Sequence, residues 1–170
     1  YIEKIKSRTK FRIMALVPSI IKNELGLMFM EHPGMGLKPG QNIAKATKNY
    51  LSMSQNSAGF AFNTVMNEPY GMNMGRIFEG KLPAGLTIGQ ALGAELTAMA
   101  MTYMSTAQIG PPVTPPTHIP QLMQLFNAYA PSPMDFGRSL GGIISDWIGT
   151  WVVSGLIPGT PPVPFSGPLQ

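Results

Sequence analysis

The 170-residue chain contains no cysteine, only two histidines and few charged side chains. Without cysteine, disulfides and thiolate-based mechanisms are excluded. Charged residues make up 12% of the chain, about half of the ~25% that is usual for soluble globular domains. Nineteen glycines and seventeen prolines contrast with this shortage. Because the surface is so poor in charge and so rich in small residues, we expect neighbouring copies, other proteins or lipid to cover much of it.

Positive charge is concentrated at the N-terminus. Five of the twelve basic residues and one acid, Glu3, lie within the first twelve residues, so the head of the chain accounts for the whole net charge of +4. From Met14 onward, seven basic and seven acidic residues balance. We expect residues 1–13 to form a flexible basic arm. Residues 4–12 could touch phosphates, but no base-reading motif accompanies them, so no specific nucleic-acid partner is predicted.

Long uninterrupted hydrophobic runs are also scarce. Residues 88–110 and 139–157 approach the ~20 apolar residues that a membrane-spanning helix needs. Glu95 and Asp146 lie inside these segments, and an acid at the centre of a spanning helix costs about 2.5 kcal/mol or more. We therefore predict that both segments pack against protein, with a membrane-associated helical protein as the alternative.

The residue types that usually carry chemistry are isolated from one another. His32 and His118 are far apart, and neither has a second ligand at metal-site spacing, so both are expected to be surface or turn residues. Glu95 and Asp146 could form a carboxylate dyad across a helix bundle, but we favour bonds to polar groups at helix edges. No dinucleotide loop, phosphate-binding lysine motif or nucleophile elbow is present. The sequence thus predicts no enzyme, no cofactor and no metal.

The chain resembles itself at a spacing of 48 residues, and a fainter copy lies 49 residues upstream. The matched positions are Phe29, Phe78 and Phe126; Gly40, Gly89 and Gly137; and Ile43, Leu92 and Leu140. Self-similarity at such a period is typical of repeated structural units. The fold class we predict is all-α, with two or three tandem helical-hairpin repeats joined by proline-rich extended connectors.

The period divides the chain into units. Residues 14–71 form a first, divergent repeat, residues 72–120 a second and residues 121–170 a third. The second and third units end in stretches that together hold ten of the seventeen prolines. These stretches are typical of stiff spacers or of polyproline docking strips. We expect residues 158–170 to be removable without loss of the fold.

Each unit is predicted to contain a short helix ending near its phenylalanine and, after a turn, a long helix. In the third unit, Ser132, Pro133 and Asp135 have the pattern of an N-cap, a first-turn proline and an N3 acid, and Gly155 that of a C-cap. The long helix of the second unit is predicted over Thr87–Ala107. Both long helices have an apolar face with i, i+3, i+4 spacing. The predicted core or interface residues are Phe78, Leu92, Leu96, Met99, Tyr103, Phe126, Leu140, Ile144, Trp147 and Trp151.

The last two units also resemble a known class of proteins. The stretch Ser139-Leu-Gly-Gly-Ile-Ile-Ser-Asp-Trp-Ile-Gly-Thr-Trp, followed by Gly155-Leu-Ile-Pro-Gly-Thr-Pro-Pro, has a weaker counterpart in residues 91–116. Long helices rich in alanine, glycine and aromatic residues, each closed by such a tail, resemble small virion structural proteins of tailed bacteriophages and prophages. The resemblance covers about half of the chain.

This resemblance implies a non-enzymatic part of a particle, present in multiple copies. The protein would be assembled in the host cytoplasm and located in the virion, in the tail, baseplate or neck or on the capsid. Its partners would be copies of itself, a larger phage structural protein, or both.

Overall fold

The structure, a computed structural model, describes residues 16–34, 36–105 and 111–170. Within these residues the chain forms six α-helices and four short strands. The helices are α1 (Pro18–Glu31), α2 (Leu37–Leu51), α3 (Glu68–Phe78), α4 (Ile88–Ala100), α5 (His118–Asn127) and α6 (Pro133–Ile148). The strands are β1 (Phe62–Thr64), β2 (Met104–Ser105), β3 (Val152–Ile157) and β4 (Val163–Pro168). The predicted basic arm, residues 1–13, lies outside the described residues.

The prediction of a helical protein is confirmed in part: the described residues are mostly helical, but they also form two small antiparallel sheets that an all-α fold lacks. Strand β1 pairs with β2, and β3 pairs with β4 in a regular register from Val152 opposite Pro168 to Ile157 opposite Val163. The prolines of residues 158–168 were expected to form an extended connector. Part of this segment forms strand β4 instead. Pro164 and Pro168 are compatible with the strand because they lie where a backbone N–H would point away from β3, so their lack of an N–H removes no hydrogen bond of the hairpin.

Both long helices end earlier than predicted. Helix α4 ends at Ala100 rather than at Ala107, and α6 ends at Ile148 rather than beside Gly155. Beyond each end a threonine hydroxyl donates back to the last turn, Thr102 to the carbonyl of Met99 (2.7 Å) and Thr150 to that of Trp147 (2.6 Å). Such local bonds give the backbone an alternative to continuing the helix.

The helix starts agree with the sequence. The Ser132 hydroxyl accepts the N–H of Asp135 (3.1 Å), with Pro133 in the first turn, as the capping pattern predicts. At α4, Thr87 and Gln90 form a reciprocal capping box. Helices α4 and α6 therefore begin at well-satisfied N-termini, whereas α2 begins at Gly36 without a side-chain cap.

The helices associate in three close pairs: α2 with α3, α4 with α5, and α6 with α1. Each pair crosses at a glycine of its longer helix. A Cβ atom at Gly89 would lie 2.6 Å from the backbone nitrogen of Met123, and a Cβ at Gly40 or Gly137 would overlap the backbone of the facing helix. Interior glycines lower helix propensity by up to about 1 kcal/mol each. Here they permit backbone contact that no larger residue allows.

Each helix contributes side chains to a common hydrophobic core. Its largest fully buried side chains are Trp147, Trp151, Tyr50 and Tyr103. Helix α1 reaches this core by packing on α6, so the first and last described helices are in contact. The β3–β4 hairpin joins the body at its base, where Val153 and Leu169 are buried.

Candidate assembly surface

The residues predicted as core or interface lie together in the interior. Nine of the ten are buried: Phe78, Leu92, Leu96, Met99, Tyr103, Leu140, Ile144, Trp147 and Trp151. Phe126 is half-buried and packs against the core. Tyr103 and Trp151 reach the interior from the turns that follow α4 and α6 rather than from the predicted helical faces. These side chains belong to the core, so the outer surface must be built by other residues.

Two aromatic clusters occupy opposite ends of the long helices. Near the start of α6, the rings of Phe29, Phe78, Phe126 and Phe136 pack with centroid distances of 5.1–6.3 Å. Beyond its end, Trp151 contacts Trp147 and Tyr103 edge-on at 5.0 and 6.2 Å. Edge-to-face contacts of this kind stabilise by about 0.5–1.5 kcal/mol beyond the buried area.

The phenylalanine cluster borders a surface pocket of about 390 Å³. Phe29, Phe78 and Phe136 form one wall, and residues 130–133 with Pro33 and Gly34 form the rim. None of the lining residues is charged. The pocket therefore suits an apolar group and supplies no acid, base or metal ligand.

His118 is buried, so the prediction of a surface or turn histidine is wrong for this residue. Its ring is 2% exposed and stacks on Trp147 at a centroid distance of 3.9 Å. Nε2 lies 3.1 Å from the carbonyl oxygen of Gly93 and 3.3 Å from the hydroxyl of Thr97. Gly93 lets α5 approach closely here, since a Cβ at this position would lie 2.7 Å from Ile119 Cγ1 and 3.5 Å from His118 Nε2; no sequence pattern indicated that the ring is buried.

Burial determines the charge state of His118. Desolvation lowers the pKa of this imidazole below its usual value, and the nearby carbonyls of Gly93 and Pro115 offset the shift only in part. The Trp147 indole donates to the same Pro115 carbonyl at 2.8 Å. The lowered pKa favours the neutral form of this ring.

The two acids of the apolar segments have separate surroundings. Glu95 accepts a hydrogen bond from the side-chain amide of Asn73 on α3 (3.1 Å), whereas Asp146 lines a small surface pocket beside His118. Among the described residues, no group of three or more histidine, aspartate or glutamate side chains could hold a metal ion. Glu95 therefore bonds to a polar group at a helix edge, which is the role that we favoured for it over a carboxylate dyad.

The β3–β4 hairpin provides an exposed surface of a different kind. We call residues 154–166, with the turn between the strands, the distal ribbon. It carries no charged side chain, and Leu156, Ile157, Val163 and Phe165 are half-buried or exposed without packing against the core. A two-stranded hairpin is only marginally stable in water by itself, so a protruding apolar ribbon is suited to packing against another surface.

No described helix is long and apolar enough to cross a membrane. The segment 139–157, one of the two considered for the membrane alternative, is divided between α6 and β3. In the other, α4 ends at Ala100, and residues 106–110 lie outside the described part. Comparisons with protein-family models, curated protein sequences and solved structures gave no match.

Proposed function

We propose that this chain is a non-enzymatic structural subunit of a multi-copy assembly and acts by protein–protein packing. The observation that carries the proposal is the distal ribbon, an uncharged apolar hairpin that extends beyond the core. Monomeric proteins protect exposed sheet edges with charged residues, especially lysine, or with proline; the distal ribbon has proline on β4 but no charged residue on either strand. Its chemistry therefore suits a surface that is covered when the protein works.

The rest of the surface supports the same function. Large apolar side chains are exposed on several elements: Val17, Ile20, Leu27, Met30, Met66, Met72, Leu82, Leu86, Met101, Met104, Val113, Tyr129, Val152 and Val163. Among the described residues a single ion pair occurs, between Lys81 and Glu79 (2.8 Å). Methionine adapts its shape to a partner and is common at binding surfaces.

The particle we propose is a bacteriophage virion, with the protein in the tail, baseplate, neck or on the capsid. This part rests on the resemblance of residues 91–116 and 139–162 to small virion structural proteins. Copies of the same chain, a larger phage structural protein, or both would be its partners.

The body, we further infer, consists of three diverged copies of one unit, each a short helix followed by a long one. Three equivalent close crossings support this inference. Gly40, Gly89 and Gly137 occupy matching positions in the 48- to 49-residue period, and each meets the short helix of another unit. The order is cyclic, because α2 contacts α3, α4 contacts α5 and α6 contacts α1.

The phenylalanine cluster agrees with the same arrangement. Phe29, Phe78 and Phe126 are also period-matched, and they lie at or near the ends of the three short helices. The rings of Phe29 and Phe126 both contact Phe78, at 6.3 and 6.0 Å. Period-matched side chains that gather around Phe78 support a closed arrangement of three related units.

The native mass tests the proposed function. We expect light scattering on a size-exclusion column to give a mass above the 18.3 kDa of one chain, rising with concentration. In Val163→Lys, a charge on the distal ribbon should lower this mass, because a buried unpaired charge is costly. Gln124→Lys, which adds the same charge at an exposed polar position of α5 outside the ribbon, is the control and should leave the mass unchanged. A mass of one chain at every concentration would contradict the proposal.

A further inference from the structure

Helix α1 is apolar on two opposite faces. Its inner face packs on α6 and contributes to the core. Its outer face exposes three large side chains, Ile20 (38%), Leu27 (50%) and Met30 (51%). In α2, α3, α5 and α6 the apolar residues are concentrated more strongly on one face. A helix that is apolar all round is typical of a buried position, so the outer face of α1 has the composition of a covered surface.

The exposed residues have the spacing of a helix–helix contact. Ile20, Asn23, Leu27 and Met30 follow one another at intervals of three, four and three residues, which places them in one line along the helix. We call these four residues the outer stripe. It is about 15 Å long, because each residue of an α-helix rises by about 1.5 Å, and it contains no charged side chain. The outer stripe therefore suits the side of another helix.

Asn23 is the polar member of the outer stripe, and it is exposed. An amide that is covered without a hydrogen-bond partner costs free energy, so the surface that packs on the stripe has to supply a partner. A single asparagine in an apolar seam fixes the register of two helices by pairing with its own counterpart. Asn23 therefore favours a second copy of α1 as the occupant.

The charges beside the outer stripe favour a parallel pair of identical helices. At about 3.6 residues per turn, Glu24 and Glu31 lie along one side of the stripe, and Ser19 and Gly26 lie along the other. In a parallel pair the glutamate side of each copy faces the uncharged side of the other. An antiparallel pair would bring the two glutamate sides together, and it would set the stripe asparagine against a leucine that cannot bond to it.

We propose that the outer stripe of α1 packs in parallel against the outer stripe of a second copy, around a twofold axis that runs along the two helices. The proposal rests on the assembly function given above and assigns one of its contacts. Asn23 of each copy would exchange side-chain hydrogen bonds with the same residue of the other copy. The three apolar residues would each face their own counterpart, so the contact is isologous.

The size of the contact predicts its strength. Stable protein interfaces bury about 1,200–2,000 Å² in total, and one line of four side chains on each copy falls below this range. The dimer should therefore dissociate on dilution. Copies that other contacts of the assembly already hold together would form it more readily, because the local concentration of the partner is then higher.

Cysteines in the outer stripe test the partner and its direction, because the chain has no cysteine of its own. A parallel pair brings each stripe residue next to its counterpart. Ile20→Cys and Met30→Cys, both at exposed positions, should therefore each give a covalent dimer on a non-reducing gel after mild oxidation. Asn63→Cys, at an exposed position of β1, is the control and should remain mostly monomeric.

Two results of this experiment would overturn the proposal. Cross-linking that occurs only when Ile20→Cys and Met30→Cys are mixed would show an antiparallel pair. Cross-linking of the stripe variants that does not exceed that of Asn63→Cys would assign the outer stripe to a different protein or to residues 1–15.

An isosteric change of Asn23 tests the polar contact while keeping the shape of the side chain. In Asn23→Asp, two like charges would face each other across the twofold axis, and we expect the dissociation constant of the dimer to rise at least about tenfold. Asn63→Asp is the matched control and should leave this constant unchanged. Light scattering over a range of concentrations measures both variants. Equal dissociation constants would contradict the proposal.

The same measurements separate this contact from the proposed function. A mass above one chain that responds to Val163→Lys but not to Asn23→Asp leaves the assembly function intact and removes the α1 contact. A mass of one chain at every concentration removes both.

Discussion

At the scale of single residues, the missing Cβ atoms of three glycines set how closely the helices approach. Gly40, Gly89 and Gly137 each place a helix against the backbone of its neighbour. Gly142 differs, because a Cβ there would meet only the flexible end of the Lys22 side chain at 3.2 Å. Glycines in the same helix therefore have opposite roles, and substitution can separate them.

Gly137→Ala should lower the free energy of unfolding by about 1–3 kcal/mol, because the added methyl overlaps the α1 backbone and forces the helices apart. Gly142→Ala, five residues along the same helix, should leave it unchanged or raise it by up to about 1 kcal/mol through better helix propensity. Urea unfolding of both variants measures the difference. Equal effects would mean that the close crossing does not constrain residue 137.

The buried His118 should make stability depend on pH. Its pKa is lowered by burial, so the unfolded chain, with a histidine pKa of about 6.5, takes up a proton before the folded one does. The free energy of unfolding should therefore fall as the pH drops below about 6.5, until the lowered folded-state pKa is passed. In His118→Phe, which keeps a ring against Trp147 but cannot titrate, urea unfolding between pH 7.5 and 5 should show a weaker decline. An identical decline in both proteins would rule His118 out as its source.

At the scale of elements, the first residues of α4 and α6 could be predicted from the local sequence. The last residues of these helices and the strands could not. Capping at Ser132 acts through bonds within the next three residues, which a sequence pattern displays. The positions at which α4 and α6 end, Ala100 and Ile148, depend on hydrogen bonds from threonine side chains and on the tertiary contacts of the residues that follow. The i, i+3, i+4 pattern continued through Tyr103 and Trp151 because turn residues also point into the core, so periodicity alone overestimated both helices.

The hairpin corrects the prediction that residues 158–170 are dispensable. Leu169 is buried, and Gln170 exchanges two backbone hydrogen bonds with Gln55 (2.8 and 2.9 Å). Removing the whole segment would expose part of the core and break this pairing. Only the distal ribbon is separable from the body.

Shortening the distal ribbon should separate assembly from folding. Replacing residues 156–164 by Asn-Gly joins Gly155 to Phe165 with a two-residue turn that suits a right-twisted hairpin, and it retains the buried Val153 and Leu169. We expect the melting temperature to stay within a few degrees of that of the parent chain while the native mass falls. A large loss of thermal stability would show that the ribbon tip supports the core, and an unchanged mass would show that copies meet elsewhere.

At the scale of the whole molecule, contact between the first and last described helices closes the body. Helix α1 packs on α6, and side chains from all three helix pairs share one core. A destabilising change in one pair should therefore weaken the others. This is the behaviour of a single cooperative unit rather than of independent tandem repeats.

Two signals test this cooperativity. Both tryptophans lie at the end of α6 or just beyond it, so their fluorescence reports on that region, whereas far-ultraviolet circular dichroism reports on all helices. Gly40→Ala, in the α2–α3 pair, should shift both thermal transitions to the same lower temperature. If the fluorescence transition stays in place while the circular dichroism transition moves, the helix pairs unfold separately.

The sequence by itself determined the mostly helical class, the N-terminal caps, the buried apolar residues and the low charge. These follow from local bonding and composition, which need no knowledge of distant contacts. Only the tertiary structure decided that His118 is buried, that the glycine faces meet in a cyclic order and that proline-rich residues form a strand. Each of these depends on which segments, far apart in the chain, lie against one another. Local residue preferences do not specify that choice.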